Sequence, residues 1–178
     1  MNVDQFWEIV QKSRKDFQPD QPDGNMDRQA EALKHLLSAL PADEVIQFSR
    51  IMGDFLRRSY SWELWGAAYI IAGGCSDDGF DYFRAWLISM GRRVFDEALA
   101  DAEALRSSAY APGVEDIFFE DFLYIPSEVL EKMGAEIPDT RLPPPTRPSG
   151  KEWRENTDDL KLMFPKLWER AQQQRRGG

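Results

Sequence analysis

The sequence predicts an all-α or nearly all-α single domain of roughly seven to nine helices, built around a central aromatic helical hairpin at residues 61–90. Three observations predict it. Apolar residues recur three and four apart along most of the chain, the period of a helix with a buried face. Glycines and prolines stand between those stretches, where helices end or begin. A chain of 178 residues, 42% hydrophobic and 12% aromatic, is long enough to bury one sizeable core and fits one domain.

Val3, Phe6, Trp7, Val10 and Phe17 lie near helical spacing with charged and amide residues between them, so residues 3–17 read as an amphipathic first helix. QPDQPDGN at 18–25 concentrates turn formers and reverses the chain. A second helix runs from Asp27 to Ser38, with Leu33, Leu36, Leu37 and Leu40 on one side, and His35 beside those leucines reads as a partly buried core residue rather than a ligand. Pro41 suits the first turn of a third helix, where Asp43 and Glu44 meet the positive end of the dipole. That helix points Val45, Phe48, Met52, Phe55 and Leu56 inward and Arg50, Arg57 and Arg58 outward.

The stretch Ser61 to Phe95 holds three of the six tryptophans and the single cysteine. Trp62, Trp65 and Tyr69 form one stripe and Leu64, Ala68 and Ile71 a second, so this helix is apolar around most of its circumference and belongs inside. Gly73 and Gly74 stop it, Ser76 or Asp77 caps the next helix, and Asp78 is favourable against the dipole. Phe80, Phe83 and Leu87, beside Tyr82, Trp86 and Met90, repeat the double stripe up to Gly91. Two such helices joined by GGCSD make a hairpin with facing rings.

Val94, Phe95 and Leu99 then mark a helix over 92–99, and Asp101 a short capped turn. APGVED breaks the pattern at 111–116. IFFEDFLYI fits a strand or a buried helix; the spacing of Phe118, Phe122 and Ile125 favours helix, with Pro126 and Ser127 opening a separate short one that Gly134 stops. Residues 138–150 hold five of the 11 prolines and read as an irregular or polyproline strap on the surface of the domain. Trp153, Leu160, Phe164, Leu167 and Trp168 bring the following segment back to the core, and the Gln-rich, Gly-ended tail at 173–178 is expected to fray.

The run WELWGAAYIIAGGCSDDGFDYFRAWLISMGRRVF at 62–95, with FW at 6–7 and FPKLWER at 164–170, resembles an uncharacterised bacterial domain, number 4240 among the domains of unknown function. The likeness extends over most of the chain. It implies a single bacterial domain and brings no activity, cofactor or catalytic residue with it.

Thirty-one acidic residues against 22 basic give a net charge of −9, which repels phosphate backbones; no basic patch is visible, so nucleic acid is not an expected partner and a basic protein is. The opening residues lack the basic start and apolar run of a signal peptide. No uninterrupted apolar segment approaches the ~18–20 residues needed to span a bilayer. A single cysteine excludes an internal disulfide and any cysteine-based zinc cluster, and agrees with a reducing compartment. The expectation is a soluble cytoplasmic protein that does not engage a membrane and needs no cofactor.

Candidate chemistry gathers in and around the hairpin. Cys75 follows two glycines and precedes a helix amino terminus, a setting that activates a thiol, although Asp77 and Asp78 oppose the thiolate and a small residue filling a tight turn explains it equally. Asp77, Asp78 and Asp81 with Glu63 offer carboxylates to a hard cation such as Mg²⁺, but the spacing is not that of an EF-hand and helix capping accounts for two of them. Arg84 lies among rings, where it requires a carboxylate, a stacking face or a route to water; pairing with an acid, Glu63 or Asp81, is the plain reading and an anion pocket the sharper one. Glu115, Asp116, Glu120 and Asp121 form a second acidic cluster, solvated surface unless paired for acid–base work. Gly73–Gly74 is no phosphate loop, because no GK[ST] follows.

No stretch carries a catalytic pattern that outweighs a structural reading. The expected function is therefore a non-enzymatic, cytoplasmic protein-interaction module with an acidic surface, in the manner of the small acidic proteins that neutralise bacterial toxins. The alternative is a hydrolase-like or metal-binding site gathered around Cys75, Asp77, Asp78 and Arg84.

Overall fold

The protein, studied as a computed structural model, is described over residues 1–135, 145–154 and 157–177. Its regular structure there is helical, and the one β pairing among the described residues is an isolated bridge. The helical periodicity of the sequence is thus matched by an all-α fold.

Helix α1 spans Val3–Ser13 and opens on a reciprocal cap: the Asn2 side chain accepts from the Gln5 amide and the Gln5 side chain from the Asn2 amide. It stops four residues short of Phe17, where Ser13 turns its hydroxyl back onto the Val10 carbonyl. Helix α2, Asn25–Ser38, starts ahead of Asp27 because Gly24 takes a left-handed φ of 79° and frees Asn25 to enter the helix. Helix α3 spans Ala42–Arg58, with Pro41 one position before the first turn. Phe6 and Trp7 of α1 meet Phe48 and Phe55 of α3 at ring separations of 4.5 to 5.3 Å, and Phe95 closes the knot 5.1 Å from Phe55. His35 departs from expectation: the leucines it follows turn inward on the opposite side of α2, and it is exposed.

The hairpin consists of α4, Trp62–Ala72, and α5, Asp77–Ser89. Gly73 closes α4 at a φ of 77°, and the Ser76 hydroxyl caps α5 by accepting from the Gly79 amide at 3.1 Å. Across the corner the Trp65 and Phe80 rings stack 5.0 Å apart, only 8° from parallel. From there the helices part. Helix α5 packs on α3 and on α8, Glu120–Lys132, whereas α4 packs chiefly on α10, Pro165–Gly177. The hairpin is a shared corner from which each helix enters a different neighbourhood.

Between them run α6, Arg92–Ala100; a 3-10 turn at Ala102–Ala104 capped by Asp101; and α7, Leu105–Ser108. The segment read as helix over 117–125 becomes one only at Glu120, because the Phe119 amide goes instead to the Tyr82 carbonyl of α5. Pro126 does not start a new helix: it lies inside α8, buried between Phe122, Ile125, Val129 and Leu130, whose burial holds both halves in one rod despite the lost amide donor.

Of the strap predicted at 138–150, residues 138–144 lie outside the described residues. Ser149 exchanges backbone hydrogen bonds with Tyr60 and Trp62, and Pro148 is buried. Trp153 donates its indole N–H to the Trp62 carbonyl at 2.7 Å. Helix α9, Thr157–Met163, leads into α10, whose first amides are met by the Glu103 carboxylate at 2.7 Å from Lys166. The tail expected to fray at 173–178 is helical through Gly177, with the Arg175 guanidinium on the Ile70 carbonyl near the end of α4.

Gly66 makes this docking possible. A Cβ placed there would sit 2.9 Å from the Phe164 ring, 3.0 Å from the Trp153 nitrogen and 3.1 Å from Leu160. In an open helix interior, Gly→Ala gains about 1 kcal/mol. Here Gly66→Ala is predicted to destabilise by about 1–3 kcal/mol through overpacking, read as a lower urea midpoint; a higher midpoint would contradict the packing described.

Candidate functional site

The six residues predicted to share a pocket, Glu63, Cys75, Asp77, Asp78, Asp81 and Arg84, take up distinct duties. Cys75 occupies the corner. Its carbonyl accepts the Trp65 indole N–H at 3.0 Å and its thiol lies 3.6 Å from the Ser76 carbonyl. Burial pushes the thiol up to about 12, the charge of Asp77 adds to this, and the Trp65 N–H opposes it. A thiol in that state is neutral across the physiological range, which is unsuited to nucleophilic work. Asp77 and Asp78 are exposed first-turn acids of α5, and the cap itself is Ser76.

Arg84 has both of the partners a charge among rings requires. Its guanidinium pairs with Asp81 one turn back, donates to the Leu56 carbonyl at the end of α3, and lies 4.9 Å from the Tyr60 ring and 5.0 Å from the Phe80 ring. It pins α5 to α3. Glu63 sits away from these groups, on the first turn of α4, where its carboxylate accepts the Lys151 amide at 3.1 Å. Among the described residues no group of three or more His, Cys, Asp or Glu side chains is placed to hold a metal ion.

Of the second acidic cluster, Glu115 accepts from the Met26 amide of α2 at 3.1 Å and Asp116 from the Ile117 amide at 2.6 Å, while Glu120, beside Asp121 in the first turn of α8, stands on an outer face with two tyrosines. Tyr82 of α5 donates to Glu120 of α8 at 2.9 Å. That hydrogen bond, with the charges of Glu120 and Asp78, pushes its phenol up to about 12. Tyr124, one turn along α8, is 45% exposed, the kind of open ring on which a cation stacks. Lys34 of α2 borders this face between Glu128 at 3.2 Å and Glu31 at 3.7 Å; its pKa is raised, chiefly by Glu128.

Sequence reasoning missed a polar junction under α1, α2 and α5. Gln29 is buried and donates to the Ser89 carbonyl at 2.9 Å, while Arg14 donates to Gln29 at 3.3 Å and to Ser89 at 3.2 Å. Asn25, also buried, accepts from the Gln18 amide and from Arg28 and donates to the Gln18 and Gly113 carbonyls, at 2.8 to 2.9 Å. Burial lowers the Arg14 pKa. The adjoining cavity, about 10 Å³, has room for one water, so the junction is a fastening rather than a ligand pocket. Its members are amide and basic residues spread over two helical stretches and the turn between them, where nothing in the pattern marks them as buried.

The family model described as Protein of unknown function (DUF4240) matches residues 1–132. The chain belongs to this family. The match takes in α1 to α8, hence the corner, the polar junction and the tyrosine-bearing face; FPKLWER, which contributed to the resemblance, lies beyond it. No curated protein and no solved structure matches the chain. No helix among the described residues of this DUF4240 protein is long and apolar enough to cross a membrane.

The state of Cys75 is directly measurable. Its raised pKa keeps it protonated until the pH approaches 12, so at about pH 7.5 iodoacetamide should alkylate the native protein on the order of a hundredfold more slowly than the urea-unfolded chain. Equal rates would show an activated or open thiol.

Proposed function

We propose that this protein is a non-enzymatic interaction module that holds a basic protein partner on the α5–α8 face, in the cytoplasm where a lone thiol stays reduced. The observation that supports this is the meeting of Asp78, Glu120 and the exposed Tyr124 around Tyr82, with Asp121 next to Glu120 in the first turn of α8, in a chain whose net charge is −9. Carboxylates attract arginine and lysine side chains over a distance, and an open tyrosine ring then offers a stacking surface for one of them. A basic toxin is one such partner, by analogy with small acidic neutralising proteins. The hydrolase-like or metal-binding alternative has less behind it, since Cys75 is neutral, Arg84 is engaged in packing α5 on α3, and Glu63 stands on another element.

The face and the net charge can be separated experimentally. Binding of an arginine-rich peptide, followed by fluorescence anisotropy, should weaken as salt rises from about 20 to about 200 mM. Glu120→Gln with Asp121→Asn should weaken it on the order of tenfold, whereas Asp158→Asn with Glu169→Gln on α9 and α10, an equal change in charge, should leave it nearly unaltered. Equal effects of the two pairs would refute an interface on α5 and α8.

A further inference from the structure

A groove of about 370 Å³ opens between the end of α3, the start of α4, the end of α6 and the returning strand of chain at Ser149. That volume falls within the range of small-molecule sites, roughly 300–1,000 Å³. Charges of both signs line it, and none is neutralised by another. Arg58 is exposed, with its guanidinium 5.2 Å above the Phe55 ring, and forms no ion pair among the described residues. Glu63 is oriented by backbone alone: one oxygen takes the Lys151 amide at 3.1 Å, and the carboxylate lies so close to Gly150 that a Cβ there would collide with it, 2.1 Å from Oε2. Asp101 gives one oxygen to the Glu103 amide at 2.9 Å. The last turn of α6, Ala98 to Ala100, adds the carbonyl-rich, negative end of a helix on the same side as Asp101. Leu64, Leu99 and Phe164 supply the apolar part of the lining.

Opposite charges held apart within one concavity, each fixed by neutral contacts, match a ligand that carries both. We propose that this groove binds the zwitterion of an apolar α-amino acid or short peptide. Its ammonium sits between Glu63, Asp101 and the α6 carbonyls, its carboxylate meets the Arg58 guanidinium, and its side chain lies against Leu64, Leu99 and Phe164. Arginine presents parallel N–H donors to a carboxylate, and an ammonium is best held by several acceptors at once. The proposal is independent of the α5–α8 face and stands or falls without it.

The test titrates leucine, dileucine, leucinamide and N-acetylleucine into ¹⁵N-labelled full-length protein. Leucine or dileucine should shift the amides of residues 58–64 and 98–102. Leucinamide, which lacks the carboxylate, and N-acetylleucine, which lacks the ammonium, should each bind on the order of tenfold more weakly. Tighter binding of dileucine assigns the site to peptides and tighter binding of leucine to the free amino acid; both support the proposal. Arg58→Gln should abolish the preference for leucine over leucinamide, and Glu63→Gln the preference over N-acetylleucine. No shift at millimolar zwitterion, shifts confined to other residues, or single-charge analogues binding as well as leucine would overturn it, and these arms use the unaltered chain.

Discussion

The Trp65 ring laid flat on Phe80, with its indole N–H on the Cys75 carbonyl, is the interaction on which the rest of the structure depends. It satisfies a backbone group at a turn otherwise made of small residues and buries two large apolar faces in the same contact. The stack continues on both sides: Trp62 lies 5.5 Å from Trp65, Phe83 6.1 Å from Phe80, and Trp86 5.5 Å from Phe83. One file of rings therefore runs from the start of α4 through the corner and along α5. Trp153 joins it edge-on, 5.9 Å from Trp62, so the C-terminal segment is anchored to the same file.

Fixing the corner decides what the nearby polar groups do. The Cys75 carbonyl is committed to Trp65, the thiol is half-buried, and Ser76 is left at the position where a side chain caps α5. Asp77 and Asp78 then point outward and contribute to the charge of the surface. Arg84, two turns into α5, emerges beneath the Tyr60 and Phe80 rings beside the last carbonyls of α3. Glu63, facing away on α4, is delivered to the groove by Arg58. Residues neighbouring in sequence thus serve separate regions because the two helices diverge from their shared end.

The helices were legible in the sequence wherever a buried stripe and a stop signal coincided, as in α3 to α6. The need of Arg84 for an acid or a ring was legible too, and it received both. What could not be read were contacts made across long separations. Pro126 looked like a helix start because local chemistry favours that position, whereas packing from α5 and α3 keeps α8 continuous. Nothing in the pattern around Asn25 and Gln29 marks them as buried; the loop carrying Gly113 and the end of α5 enclose them. Glu63 was grouped with Asp77 and Arg84 on proximity in the chain, and its true neighbours, Lys151 and Gly150, come from almost ninety residues later.

The most direct measurement of the central claim is a double-mutant cycle on Trp65→Leu and Phe80→Leu, with unfolding free energies from urea denaturation. A stacked pair that organises the corner should show a coupling of about 0.5–1.5 kcal/mol, each single change costing more in the presence of the other ring. Additivity within about 0.3 kcal/mol would mean that the rings do not sense one another, and the account of the corner would be contradicted.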